Sequence, residues 1–256
     1  MKQLVCLHAA LAGTGKTHII ANLAVQLMLR GYHVGVLDTD MINPGQHTLF
    51  NLPRQTIRQT ISDYVCDKAT LEACLYELTP QLQETVPEIA DGGGTLHLIP
   101  ASPAPRQRNR IISDGYAINL LIDAMHKLID DHKFDFLLVD TAPGYEHKKL
   151  LTACTANLLL VTATPDQQHL AHTAFLMDKI RRVHEPSMAL VMNRTQSDVL
   201  HPTECDERYG LAVAACLPES YPLNALNSGS LFTLVQPDHI WSKKIAQLAD
   251  FVIEAD

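Results

Sequence analysis

A short segment near the start of the chain has the residue types and spacing of a phosphate-binding loop. It follows an apolar run and fits the pattern GxxxxGK[ST], with Ala10 in place of the first glycine. In such a loop, backbone N–H groups meet phosphate oxygens at a helix N-terminus, the lysine reaches the β- and γ-phosphates, and the hydroxyl ligates Mg²⁺. The predicted nucleotide contacts in this segment are Leu11, Ala12, Gly13, Thr14, Gly15, Lys16, Thr17 and His18.

Three aspartates stand at the ends of two other apolar runs. Asp38 and Asp40 close one run, and Asp140 opens the DxxxG pattern of residues 140–144. Ligands of open α/β folds bind at the carboxyl ends of the strands, where these side chains would meet. One such aspartate often only caps a turn, but three of them beside a phosphate loop can hold magnesium and orient a water. We predict metal ligation by Thr17, Asp38 and Asp140 and water activation by Asp40, although Asp38 and Asp40 can exchange roles.

A parallel sheet with crossover helices would position these residues, and the chain shows the required alternation. Short apolar runs predict strands over Leu4–Ala9, His33–Leu37, Thr95–Ile99, Phe134–Val139, Asn157–Thr162, Met188–Met192 and Leu211–Leu217. Helical periodicity predicts helices over Lys16–Arg30, Ile112–Asp131, Asp166–Arg182 and Ile240–Ile253. The fold class expected is therefore α/β, a P-loop NTPase with a mostly parallel twisted sheet and helices on both faces.

The segment between Gly45 and Asp91 is less regular than the rest. We expect an insertion with two short helices, around Ile57–Cys66 and Leu71–Leu78, because it is short and has no flexible linkers at its ends. Residues 103–110 contain two prolines and three arginines and are predicted to form a polar loop.

Composition limits the function classes. The 256 residues are 46% hydrophobic and 19% charged, which predicts one folded domain over residues 1–256. A net charge of −8 excludes a generally basic nucleic-acid binder but leaves room for a local basic patch. The chain shows no charged leader and no long uncharged run, so we expect a cytoplasmic protein. Its six cysteines form no CxxC pair and are predicted to be reduced thiols.

These motifs resemble those of the ParA/MinD family of deviant Walker ATPases, and the resemblance covers nearly the whole chain. The family's KGGxGKT loop, DxD strand end and DxxxG switch correspond to residues 11–17, 38–40 and 140–144. Asn193 and Arg194 are similar to the strand end whose asparagine contacts adenine, and Pro218 is similar to the proline loop beside the base. Residues 227–249 resemble the family's C-terminal pattern. The resemblance implies ATP and Mg²⁺ as cofactors and an ATP-bound homodimer.

The signature lysine of this family, which crosses the dimer interface to the partner's phosphates, is replaced by Leu11. Lys148 and Lys149 follow the DxxxG switch, and we hypothesise that one of them supplies the missing charge in trans; the alternative is a pair of solvated lysines at a helix start. His18 stands where the family has a second threonine, which leaves the α-phosphate contact open. A lost signature lysine in an otherwise intact site resembles the McdA branch, which positions carboxysomes.

The resemblance implies a slow ATPase that binds nonspecific DNA as an ATP dimer, associates with the nucleoid and positions a large cargo. An adaptor of McdB or ParB type would stimulate hydrolysis. The acidic end of the chain does not resemble a membrane anchor, so no membrane partner is expected. Alternatives are a nonhydrolysing ATP-binding scaffold, a MinD-like positioning protein and a metabolic ligase on the same scaffold. Candidate DNA-binding clusters are Lys179, Arg181 and Arg182; Arg106, Arg108 and Arg110; and Lys243 with Lys244.

Overall fold

The computed structural model describes residues 2–85, 93–184, 186–196, 210–220 and 231–255, and it contains one eight-stranded sheet. The strands are β1 (Gln3–His8), β2 (His33–Asp38), β3 (Tyr76–Glu77), β4 (Thr95–Ile99), β5 (Phe136–Asp140), β6 (Leu158–Ala163), β7 (Ser187–Thr195) and β8 (Ala212–Pro218). Their order is β3-β4-β2-β5-β1-β6-β7-β8, and every pair is parallel except β3 with β4.

Helices cover both faces of this sheet. They are α1 (Lys16–Leu29), α2 (Gln46–Leu49), α3 (Ile61–Tyr64), α4 (Thr79–Thr85), α5 (Pro105–Asp114), α6 (Ile118–Asp130), α7 (His147–Cys154), α8 (Gln167–Val183), α9 (Phe232–Val235) and α10 (Ile240–Glu254). Apolar residues of α1 and α10 pack with one face of the sheet, and those of α6, α7 and α8 pack with the other. The central strands are buried on both sides, which explains their nearly continuous apolar sequences. The predicted fold class is confirmed.

The seven predicted strands are present with each end shifted by at most three residues. Three of the four predicted long helices are present within one residue at each end, namely Lys16–Arg30, Asp166–Arg182 and Ile240–Ile253. The polar loop predicted for residues 103–110 is wrong, because residues 105–114 form α5. This helix buries only Ile111, so it lacks the apolar stripe that would have identified it. The helix predicted from Ile112 is split, because Gly115 adopts a φ of 73° and ends α5.

Two further elements differ from the predictions. The helix expected over Leu71–Leu78 is a single 3₁₀ turn followed by the edge strand β3. The helix expected around Ile57–Cys66 is reduced to the four residues of α3, which starts with a capping box between Thr60 and Asp63. Helix α7, whose first turn carries Lys148 and Lys149, was not among the predicted long helices, although a helix start was the alternative interpretation of these lysines.

The five described cysteines are free thiols, as predicted. Cys205 lies outside the described residues, as does the segment from Asn227 to Gly229. In the described part of the chain, no helix combines the length and the apolar character that crossing a membrane requires.

Candidate nucleotide site

The phosphate loop joins the end of β1 to the start of α1. Gly13 and Gly15 adopt φ values of 83° and 86°, a left-handed conformation that favours glycine. Gly15 precedes the first residue of α1, and no side chain caps the N–H groups of that first turn. The Thr14 hydroxyl is buried without a partner in the described residues. The loop therefore offers free donors and the positive end of a 14-residue helix to an anion.

Lys16 lies at the first position of α1, and only 6% of it is exposed. Burial lowers the pKa of its ammonium group, and the carboxylates of Asp140 and Asp40 oppose that shift. A second ammonium, that of Lys149, lowers the pKa further. A buried cation held between aspartates at a helix N-terminus is suited to bind phosphate oxygens and to stabilise charge on a transferred phosphoryl group.

Asp38 and Asp140 are direct neighbours on β2 and β5 and form a buried acidic pair. Oδ1 of Asp38 accepts the N–H of Asp40 at 3.0 Å, and its Oδ2 accepts those of Gly45 and Gln46 at 3.0 and 3.2 Å. Burial raises the pKa of Asp38 well above its usual range, and repulsion by Asp140 adds to this. Burial also raises the pKa of Asp140, against the attraction of Lys16. A divalent cation at this pair would favour both ionised forms.

Gln46, on α2, completes this corner and was not found from the sequence. Its Nε2 donates to Oδ2 of Asp140 at 2.9 Å and to the carbonyl of Thr17 at 3.2 Å, and its Oε1 is buried without a partner in the described residues. The side chain of Thr17 lies close enough to Asp140 to oppose the rise in the pKa of that carboxyl. A hydroxyl, two carboxylates and a spare amide oxygen are the oxygen donors that Mg²⁺ prefers. These residues therefore fit a magnesium ion held beside the phosphate loop.

Asp40 is partly exposed and stabilises the turn that follows β2. Its Oδ1 accepts the backbone N–H groups of Ile42 and Asn43 at 3.3 and 2.9 Å. Its charge nonetheless acts on both Lys16 and Asp38. The residue thus caps a turn and also contributes charge to the site, so the two interpretations of a strand-end aspartate apply together.

His8, the last residue of β1, attaches the DxxxG loop to the phosphate-loop strand. Its Nδ1 lies 2.6 Å from the Thr141 hydroxyl and its Nε2 lies 2.9 Å from the Gly144 carbonyl, while the Gly144 N–H donates to the carbonyl of Ala9 at 3.0 Å. Burial, with help from the charge of Lys16, lowers the pKa of His8 to about 3. The ring is therefore neutral near pH 7, and we assign the N–H to Nε2 because a carbonyl only accepts.

A second group of predicted residues lines a narrow cavity on the far side of the phosphate loop. The cavity is lined by Gly15, His18, Asn193, Arg194, Pro218, Glu219, Ser220 and Trp241. Burial lowers the pKa of His18, so its ring is neutral at pH 7. Asn193 donates from Nδ2 to the carbonyl of Thr14 at 2.8 Å, and its Oδ1 accepts the N–H of Arg194 at 2.9 Å. The predicted base-side residues are thus brought together, and Asn193 contacts the phosphate loop directly.

Trp241, at the start of α10, also lines this cavity and was not found from the sequence. Its ring is fully buried against Phe232 in an edge-to-face contact, and its Nε1 has no acceptor in the described residues. A single tryptophan at a helix start usually indicates core packing, so only the folded chain reveals its place beside the loop.

Leu11 is partly buried and packs against the apolar core. Lys148 and Lys149 lie in the first turn of α7 and have different surroundings. The ammonium of Lys148 donates to the carbonyl of Tyr116 at 2.5 Å and lies 4.6 Å from the centre of its ring. Lys148 is thus directed away from the loop, towards the segment between α5 and α6.

Lys149 is directed towards the DxxxG loop. Its Nζ donates to the carbonyl of Pro143 at 2.7 Å and pairs with Oε1 of Glu146 at 2.9 Å. Its charge acts on Lys16 and on His8. Of the two lysines, Lys149 is therefore the one whose charge reaches the phosphate loop.

The fold and this site define a P-loop nucleotide-binding protein. Residues 1–231 match the ParA family, described as NUBPL iron-transfer P-loop NTPases, and the chain belongs to that family. It is 23% identical over 246 residues to an uncharacterised ATP-binding protein of Methanocaldococcus jannaschii, covering 95% of this chain and 84% of that protein.

In the described part of the chain, no group of three or more His, Cys, Asp or Glu side chains is arranged so that it could hold a metal ion.

Solved structures show the same fold. The septum site-determining protein MinD of Pyrococcus horikoshii, in complex with Mg-ADP, superposes with a TM-score of 0.81 at 17% identity, covering 99% of this chain and 97% of that one. An ATP complex of a McdA variant from Cyanothece gives a TM-score of 0.73 at 17% identity, covering 99% and 96%.

Proposed function

We propose that the chain is a magnesium-dependent ATPase that dimerises when it binds ATP. The observation that carries this proposal is the buried Lys16 at the uncapped start of α1, with Gln46 linking Asp140 to the carbonyl of Thr17 beside it. The loop N–H groups and Lys16 bind the phosphates and stabilise the charge that develops on the transferred group. Thr17, Asp38 and Asp140 would hold Mg²⁺, and Asp40 would orient the attacking water.

Magnesium, when bound, would neutralise part of the charge of the phosphates. Asn193, Arg194 and Pro218 line one cavity with Gly15, and we assign this cavity to the base of the nucleotide. The neutral ring of His18 adds a donor and an acceptor at the same point.

A steady-state ATPase assay with and without Mg²⁺ tests the proposal. We expect slow hydrolysis in the wild type, none without magnesium and none in Lys16→Ala. Sedimentation with ATP, ADP and no nucleotide should give a dimer with ATP only. Tight ATP binding without phosphate release, even with DNA and an adaptor present, would contradict it.

Lys149 is the residue that we propose in place of the family's missing lysine. Leu11 packs against the core and offers no charge, whereas the ammonium of Lys149 already acts on Lys16 within one subunit. In the ATP dimer it would leave Glu146 and reach the phosphates of the partner subunit. Lys148→Ala is the matched control, because that lysine is held by Tyr116 instead.

Mixed dimers separate this trans arrangement from a structural role. Neither Lys16→Ala nor Lys149→Ala alone should hydrolyse ATP. An equal mixture should recover about a quarter of the wild-type rate, because half of the dimers are mixed and each mixed dimer has one complete site. An inactive mixture, or full activity in Lys149→Ala, would refute the trans role.

The cellular function that we propose is positioning of a large cargo, with the carboxysome as the first candidate. The support is the combination of this fold with an intact magnesium corner and a missing signature lysine. ATP dimers would bind nonspecific DNA of the nucleoid in the cytoplasm, and an adaptor of McdB or ParB type would stimulate hydrolysis. Imaging of the tagged protein with labelled DNA and cargo tests this, and uniform distribution in the presence of ATP would contradict it.

A nonhydrolysing ATP-binding scaffold is the second candidate, favoured by the leucine at position 11. It predicts ATP-dependent dimers that persist, whereas the ATPase predicts dimers that dissociate as phosphate is released. Dimer lifetime after excess ATP is removed therefore separates the two candidates.

A further inference from the structure

Three arginines from two distant parts of the chain surround one cavity on the surface. Arg54 and Arg58 come from the segment before α3, and Arg106 comes from the first turn of α5. All three are exposed and line a cavity of about 420 Å³. One carboxylate, that of Asp63, lines it as well, and its Oδ2 already accepts the N–H and hydroxyl of Thr60. The cavity therefore carries excess positive charge in a chain whose net charge is −8.

The guanidinium groups of Arg54, Arg58 and Arg106 have no acceptor among the residues that the structure describes. Two lysines of the other basic clusters, by contrast, do have a partner. Lys179 lies over the ring of Phe175 at 5.2 Å, and Lys243 lies 3.8 Å from a carboxylate oxygen of Asp238. The donors around the cavity are thus available to a ligand.

Arg110, one helical turn beyond Arg106, belongs to a different environment. Its Nε lies 3.7 Å from Oδ2 of Asp114 on the same helix, which compensates its charge. We therefore leave Arg110 out of the group of three arginines.

The backbone that carries these arginines is held by hydrogen bonds. The N–H groups of Arg58 and Gln59 donate to the Tyr76 hydroxyl at 2.8 and 3.1 Å, which fixes the segment on β3. The side chain of Gln107, next to Arg106, donates to the carbonyl of Ser62 at 3.0 Å. Because both segments are fixed to the same framework, the backbone that carries the three arginines needs no refolding when a ligand binds.

The start of α5 adds to the same field. The helix has ten residues and begins at Pro105, and no side chain caps its first turn. The positive end of its dipole therefore faces the side on which Arg106 lies. This supplements the arginines, which remain the principal source of charge.

We propose that the cavity lined by Arg54, Arg58 and Arg106, which we call the arginine cleft, binds the backbone phosphates of duplex DNA. The proposal rests on the proposed function, since it assigns the surface that holds DNA. An exposed guanidinium gains little from one free anion. A polyanion makes several such contacts at once and releases counterions when it binds. An open cleft with three unpaired arginines is therefore better suited to bind a polyanion than to bind a small ligand. No base is read, because exposed guanidinium groups contact phosphates of any sequence.

The test uses fluorescent duplexes of random sequence with ATP and Mg²⁺ over a range of salt concentrations. The cleft variant combines Arg54→Gln, Arg58→Gln and Arg106→Gln. The matched control combines Lys179→Gln, Arg182→Gln and Lys243→Gln, which removes the same charge from the other clusters. The ATP dimer carries the cleft twice, so the variant removes six positive charges from it. We expect DNA binding to weaken by at least about 100-fold and the slope of log K against log salt to fall by about 5, at about 0.9 per lost phosphate contact.

Three further results bear on the proposal. The control should keep the wild-type slope, and lysine at all three cleft positions should restore it, because phosphate contacts need charge. ATP hydrolysis without DNA should be unchanged in every variant.

Wild-type slope in the cleft variant, or an equal loss in the control, would overturn the cleft assignment and leave DNA binding itself standing. A wild-type protein that binds no DNA with ATP would overturn the proposed function together with this inference. Retained DNA binding in the cleft variant, with lost binding to phosphatidylserine vesicles, would assign the cleft to a membrane surface and refute the proposal.

Discussion

Replacement of Gly15 by alanine tests how the phosphate loop is held. Gly15 has a φ of 86°, and a Cβ placed there would overlap Nδ2 of Asn193. That same Nδ2 donates to the carbonyl of Thr14 at 2.8 Å. Gly15→Ala therefore strains the backbone and expels the side chain that holds the loop.

The cost follows from these two terms. A left-handed alanine costs about 1–2 kcal/mol relative to glycine. Loss of the bond from Asn193 to Thr14 adds about 1 kcal/mol. We expect Gly15→Ala to destabilise the protein by about 2–3 kcal/mol and Asn193→Ala by about 1 kcal/mol. In the double variant the overlap is absent and the lost hydrogen bond is counted once. Its loss of unfolding free energy should therefore be smaller than the sum of the two single losses by about 1 kcal/mol.

Urea unfolding of the wild type, the two single variants and the double variant measures these free energies. Titration with ATP and with inorganic triphosphate measures how well the loop of each protein binds phosphate. Loss of a loop contact should weaken both ligands equally, whereas loss of a base contact at Asn193 should weaken ATP alone. Additivity of the two substitutions within about 0.5 kcal/mol would refute the reasoning, because distant independent sites behave that way. Wild-type stability of Gly15→Ala would do so as well.

Three other predictions concern His8, Gly94 and Asp140. The pKa of His8 is lowered to about 3 in the folded protein, so between pH 6.5 and pH 3 the unfolded chain binds a proton at His8 that the folded chain does not bind. The contribution of neutral His8 to the free energy of unfolding is therefore complete above pH 6.5 and is lost as the pH falls towards 3. The difference in unfolding free energy between wild type and His8→Gln should therefore shrink over that range in urea titrations, and a constant difference would contradict this. Gly94→Ala should lower stability by about 2 kcal/mol, because its Cβ would overlap the carbonyl of Met28, and an unchanged Tm would count against this. Asp140→Asn should abolish magnesium-dependent ATP hydrolysis while nucleotide binding persists, and retained hydrolysis would remove it from the proposed metal ligands.

The strands and the phosphate loop were predictable because their signals are local. Buried parallel strands need nearly continuous apolar runs, and the loop needs glycines and a lysine at fixed spacing. Helix α5 escaped prediction because its residues are polar on most of its surface and only Ile111 is buried. Strand β3 escaped for another reason: its two residues pair with β4 and carry no alternation of their own.

The sequence by itself determined that Asp38 and Asp140 lie near the phosphate loop, since strand ends in a parallel sheet share one edge. Only the tertiary structure decided which other groups join them. Gln46 meets Asp140 across 94 residues of chain, and Asn193 meets Thr14 across 179. Such pairs follow from the order of the strands, which periodicity does not encode. A different reason separates Lys149, whose charge reaches the loop, from its neighbour Lys148: one position along a helix turns a side chain by about 100°.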